Sequence, residues 1–143
     1  MTHRMNFPYL CVWMIRDPPS AESITSIEKI SDHILIGDPA IFFEESVEPF
    51  YLTFPVIPTE HVQRLFQGGT VLSMFQFIHD FYQEPVTFAE IDYLKNLSAH
   101  RHHNRFETHR DTLLSGGIVR RLEVIGRSAT YEGIEAGELL IDP

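Results

Sequence analysis

The sequence predicts a single α+β domain, an antiparallel sheet of short strands packed against a central helix pair. Three observations carry this reading. Residues 68–97, GGTVLSMFQFIHDFYQEPVTFAEIDYLKNL, set helix-start and helix-stop residues around two successive apolar segments. Short apolar runs bounded by Gly, Pro and Asp recur on both sides of that stretch, as strands and turns do. The chain has 143 residues, with 43% hydrophobic and 22% charged side chains, which is the size and make-up of one globular domain. At that length roughly 68–70% of the unfolded surface is buried on folding, so no covalent staple is needed.

In chain order, Tyr9 to Ile15 reads as a strand buried on both faces. Asp17-Pro18-Pro19-Ser20 is a turn that offers Ser20 as an N-cap. Ala21, Ile24, Ile27 and Ile30 recur every three residues and predict a helix over 21–31. His33–Ile36, Ala40–Phe43 and Phe50–Phe54 read as three strands of an antiparallel meander, with a turn at 37–39 and an acidic loop at 44–49. Pro55 and Pro58 end the meander, and Thr59 caps a short helix over 60–66 with Val62, Leu65 and Phe66 inward.

The first central helix begins after Thr70, whose hydroxyl accepts from a backbone N–H of the first turn. Val71, Met74, Phe75, Ile78 and Tyr82 form its apolar stripe, and Leu72, Phe77 and Phe81 widen it beyond one face. Pro85 stops it. In the second helix Thr87 and Glu90 have capping-box spacing, and Val86 precedes Ile91 as a hydrophobic staple. Asn104 and Glu107 predict a further helix over 105–114, closed by Gly116. Ile118–Ile125, Ala129–Glu132 and Glu138–Ile141 read as strands. The run from Ile36 to Glu44 echoes that from Ile125 to Glu132, each followed by a short apolar strand, which suggests two hairpin units of matching design.

The net charge of −9 is uneven. Residues 1–94 hold 4 basic and 13 acidic side chains, residues 95–127 hold 7 and 3, and residues 128–143 hold none and 4. An acidic chain is a poor general binder of nucleic acid, because phosphates repel it. An accessory role on nucleic acid therefore falls to Arg101, Arg105, Arg110, Arg120 and Arg121. No stretch reaches the length needed to span a bilayer, so no membrane partner is expected. The single Cys11, inside YLCVWMI, rules out an internal disulfide framework and reads as a buried thiol. With no signal peptide in view, an intracellular location is the expectation.

Few residues offer chemistry. Four of the eight histidines lie in AHRHHNRFETHR. On a continuing helix His100 and His103 share a face at i, i+3, and His109, or a carboxylate such as Glu107 or Asp111, completes a ligand set for a divalent transition metal. The spacing matches no zinc signature, and the neighbouring arginines oppose a cation. His79-Asp80 are adjacent on a helix, so they diverge by about 100° and form no preset dyad. Gly68-Gly69-Thr70 lacks a phosphate-loop pattern and reads as turn plus cap. Glu44, Glu45 and Glu48 read as a solvated loop.

FFEES, FYLTF, the Gly-Thr-capped TVLSMFQFIHDFYQEPVT and AEIDYL together resemble a pattern in small uncharacterised proteins of large DNA viruses, over roughly residues 40–95. The resemblance implies no catalytic residue. The reading is therefore a non-enzymatic structural or protein-interaction domain, with Leu72, Phe77 and Phe81 as an apolar helix face and the acidic loops beside it. A protein partner or self-association is expected. The alternatives are a metal-binding enzyme or sensor at the histidine cluster and the nucleic-acid accessory.

Overall fold

Alternating side chains build one face of a six-stranded sheet. The structure, a computed structural model, describes residues 7, 9–29, 40–57, 60–87, 90 and 111–142. In chain order the strands are β1 (Tyr9–Met14), β2 (Ile24–Lys29), β3 (Ser46–Val47), β4 (Phe50–Ile57), β5 (Glu60–Phe66), β6 (Gly69–Thr70), β7 (Thr130–Glu135) and β8 (Glu138–Asp142). Among the described residues, the helices with both ends defined are α1 (Ala40–Phe43), α2 (Val71–Gln83) and α3 (Arg121–Ile125). The large sheet runs β2-β1-β7-β8-β4-β5, and β3 pairs with β6 separately. Every pairing is antiparallel except β4 with β8, which is parallel. The fold is thus α+β, with a mostly antiparallel sheet.

The inner face carries Cys11, Trp13, Phe50, Leu52, Phe54, Val56, Tyr131, Ile134 and Leu139, all buried. Helix α2 lies against it. Phe75 meets Trp13 and Tyr131, with ring centroids 5.4 Å away in each case. Phe81 stacks on Phe54 at 3.9 Å and 15°. Phe77 touches Phe54 and Phe66. Rings at such offsets add to the burial they share. The single-turn α1 contributes Phe42, whose ring meets Phe7 and Phe75.

Helix α2 starts and stops as its residues dictate. Thr70 Oγ1 accepts from Ser73 N at 3.2 Å, and Ser73 Oγ accepts from Thr70 N at 2.8 Å. This reciprocal pair satisfies two N–H groups that the helix leaves free. Glu84 ends the helix in extended conformation ahead of Pro85. Residues 111–114 are helical too, and Gly116 at φ +85 turns the chain there, its N–H reaching Leu113 O.

Several sequence expectations are corrected. Residues 24–29 of the predicted 21–31 helix form β2, antiparallel to β1. Ala40–Phe43 is a helical turn, so the first copy of the internal echo is helical where the second is strand; the two are not matching hairpins. The 60–66 helix is strand β5, registered on β4 from Phe50↔Phe66 to Ile57↔Glu60. Proline does not end β4 at Pro55, because a register shift between Pro55 and Ile57 absorbs it. The 118–125 strand is α3 over Arg121–Ile125, entered from an extended Arg120 that bridges to Pro85. β1 is buried on one face only, since Val12 stands exposed. The predicted strand 33–36 lies outside the described residues. Of the second central helix only Glu90 is described, and it is helical.

Candidate functional site

Two features outside the plain apolar core stand out, a buried ion network and the outer face of the sheet. The network grows from where α2 ends. The extended bridge between Pro85 and Arg120 brings the start of α3 against the α2 exit. Val86 N donates to Val119 O, and Arg121 N donates to Glu84 O. Arg121, only 1% exposed, is delivered to the interior by that bridge.

Arg121 is then held by two carboxylates and a ring. Its Nε donates to Glu90 Oε1 at 3.2 Å, and one terminal nitrogen donates to Glu84 Oε1 at 2.6 Å. Its guanidinium lies 4.2 Å from the centroid of the Phe81 ring, a cation–π contact in a dry setting. Glu90, also 1% exposed, accepts from the Thr87 hydroxyl at 2.8 Å while Thr87 Oγ1 accepts from Glu90 N at 3.3 Å. Glu84 is shared with Arg64, whose NH2 lies 3.2 Å from Glu84 Oε1. The Tyr82 hydroxyl donates to Pro55 O at 2.6 Å. Burial raises the Tyr82 phenol well above its ordinary range; Arg121 opposes that shift and Glu90 adds to it. At 1% exposure Arg121 does not present its charge to solvent. It clamps three segments together.

The expected site residues are placed as follows. His100, His103 and His109 lie outside the described residues, as do Arg101, Arg105 and Arg110. Among the described residues, no three His, Cys, Asp or Glu side chains gather as a metal site. Arg120 bonds to Gln83 and Glu123, and Arg121 is buried, so these two arginines are engaged within the chain. Phe81 is 3% exposed, and Leu72 and Phe77 are partly buried against the core. The chain's own sheet covers Phe81 and part of Phe77 through Phe54 and Phe66. His79 is buried: its Nδ1 carries a proton and donates to Ile15 O at 2.8 Å, because a carbonyl only accepts. Asp80 points elsewhere, accepting from Gln76. Cys11 is a buried thiol, as its apolar surroundings suggested, and burial pushes it up to about 12.

No family model, no curated protein and no solved structure matches the chain. The remaining surface of interest must be read from its own geometry. On the side of the sheet away from α2, Tyr51 is 53% exposed and Leu65, its cross-strand partner, 39%. Leu140 is 37% exposed opposite Gly133, which has no side chain to shield it. Between these apolar positions runs a polar row. Glu135 faces Glu138 across β7–β8, Glu138 lies beside Thr53 on β4, and Thr53 faces Gln63 on β5. Glu135 and Glu138 are exposed, and neither has an ion-pair partner among the described residues. Like charges placed directly opposite one another disfavour the pairing.

Sequence reasoning missed both features. Arg121 sits in RRLEVI, and a charge inside an apolar run was the available signal for a buried pair. The outer face was hidden because FYLTF is apolar at four of five positions, so its two sides are indistinguishable until a neighbour covers one.

Proposed function

We propose that this is a non-enzymatic protein-interaction domain whose contact surface is the outer face of the sheet around Tyr51, Leu65 and Leu140. The observation that supports it is the exposed cross-strand pair Tyr51–Leu65, two large apolar side chains held on a rigid sheet with no cover from α2. Aromatic and large aliphatic groups of this kind are what interface centres use. The helix face expected to serve this role is committed to the core through Phe81 and its stacking on Phe54.

The test is selection from a displayed random-peptide library, repeated on Tyr51→Ser/Leu65→Ser. Both positions are exposed, so the double variant keeps its core. Enriched peptides that bind the parent protein and lose at least tenfold in affinity for the variant are the expected result. If no peptide is enriched, or if every enriched peptide ignores the double substitution, the assignment of this face is wrong.

A further inference from the structure

We infer that the outer sheet face takes a basic, amphipathic segment of another protein, one that presents a cation between two apolar groups. This rests on the reading of that face as an interaction surface, and it names the chemistry of the occupant.

The argument is charge complementarity in register with apolar contact. Counting along β4, Tyr51 and Leu65 form one row, and Thr53 with Glu138 and Glu135 forms the next. On β8 the same step of two residues leads from Glu138 to Leu140, which is exposed opposite Gly133. Rows two residues apart on a strand lie about 7 Å from each other. The face therefore reads apolar, acidic, apolar over about 13 Å. Along β4, β5, β7 and β8 the described outward positions include no lysine or arginine; Arg64 of β5 turns inward to Glu84. Asp142, exposed at the end of β8, adds to the same sign. A Lys or Arg set over Glu135 and Glu138 relieves the like-charge pair, and apolar groups on either side of it reach Tyr51–Leu65 and Leu140. An acidic ligand meets repulsion on the same rows, and a second copy of this face meets its own carboxylates.

The experiment uses two designed 18-residue amphipathic peptides with the same leucine spacing, one with arginine and one with glutamate on the flanks. Binding is followed by fluorescence anisotropy. The Leu–Arg peptide binds the protein and weakens as salt rises, and the Leu–Glu peptide does not bind. Glu138→Lys, which converts the like-charge pair to an opposite-charge one, lowers affinity for the Leu–Arg peptide at least tenfold without lowering the urea midpoint. Glu44→Gln/Glu48→Gln, on a different acidic loop, leaves affinity within twofold.

Equal loss in the loop variant, or no loss in Glu138→Lys, overturns the inference by showing that bulk charge alone binds the peptide. Equal binding of both peptides overturns it as well. So does concentration-dependent dimerisation, seen by light scattering, that Tyr51→Ser/Leu65→Ser abolishes, because the occupant is then a second copy. If library peptides depend on Tyr51 and Leu65 but are not basic, the interaction face stands and only the occupant's chemistry fails.

Discussion

Arg121 carries its charge at 1% exposure, beside the equally buried Glu90. A guanidinium out of water needs opposite charge close by, and here Glu90 and Glu84 accept from Nε and one terminal nitrogen while the Phe81 ring lies against its plane. Arg121→Ala leaves Glu90 buried without its cation. The expected outcome is a loss of about 3–5 kcal/mol in urea unfolding, the usual cost of breaking one side of a buried pair. Arg121→Met with Glu90→Gln loses less than the two single changes together, and a double-mutant cycle measures the difference. A second residue-scale prediction concerns alkaline pH. Cys11 is raised from 9.0 to about 12 and Tyr82 and Tyr131 well above 10.0, all chiefly by burial. These groups stay neutral in the folded chain and ionise more readily when it unfolds. Their stabilisation is complete below pH 9 and is lost as pH rises, first from Cys11 between 9 and about 12 and then from the tyrosines above 10. Each such group contributes a slope of at most about 1.4 kcal/mol per pH unit. Urea midpoints measured from pH 8 to 11 show this decline, and in Cys11→Val its onset moves up toward pH 10.

At the scale of the element, local chemistry controls α2 and tertiary pairing controls most of the rest. Gly69 sits at φ +151, and a Cβ placed there meets Ser73 Oγ at 2.5 Å, which is the oxygen that caps Thr70 N. Gly69→Ala therefore combines backbone strain with loss of half the cap. It is expected to cost more than Thr70→Ala, which removes one capping oxygen and about 1 kcal/mol. Thermal unfolding of the two variants ranks them; the reverse order shows that the chain rearranges around residue 69. This helix was legible in the sequence because Thr70, the apolar stripe and Pro85 act within the segment itself. The β7–β8 hairpin was legible only in part: strands were read at 129–132 and 138–141, but not the tight Ala136-Gly137 turn, whose two residues both stand at positive φ. The segments 24–29 and 60–66 were not legible. Each is a seven-residue stretch or shorter, too brief for periodicity to separate helix from strand. What makes them strands is a partner: β1 for the first and β4 for the second. Likewise RLEVI is helical because the Pro85–Arg120 bridge and the Arg121 ion pairs fix where it starts, and neither is visible at residues 121–125 alone.

At the scale of the whole molecule, the order of the strands makes one hairpin indispensable. β7 pairs with β1 and β8 pairs with β4, so the β7–β8 hairpin joins two halves of the sheet, β2–β1 on one side and β4–β5 on the other. Trp13 pairs with Tyr131 across most of the chain length, and Thr53 N donates to Gly137 O at 2.8 Å to hold the hairpin turn against β4. Such non-local pairings give little local support, so neither half gains stability before the hairpin is in place. Leu139, 3% exposed near the start of β8, tests this. Leu139→Ala is expected to destabilise the protein by about 2–5 kcal/mol through the lost apolar group and the cavity it leaves. Because the hairpin links both halves, hydrogen exchange should show protection falling by a similar factor at amides of β1 and of β5. Val62 on β5 is a control: it is only partly buried, on a strand paired with β4, so Val62→Ala should lower protection in β5 more than in β1. If Leu139→Ala lowers protection in β1 while β5 keeps its own, the two halves fold separately. The outer face would then lose its rigid base, because Tyr51 and Leu65 stand on one half while Glu135 and Glu138 stand on the hairpin that joins it to the other.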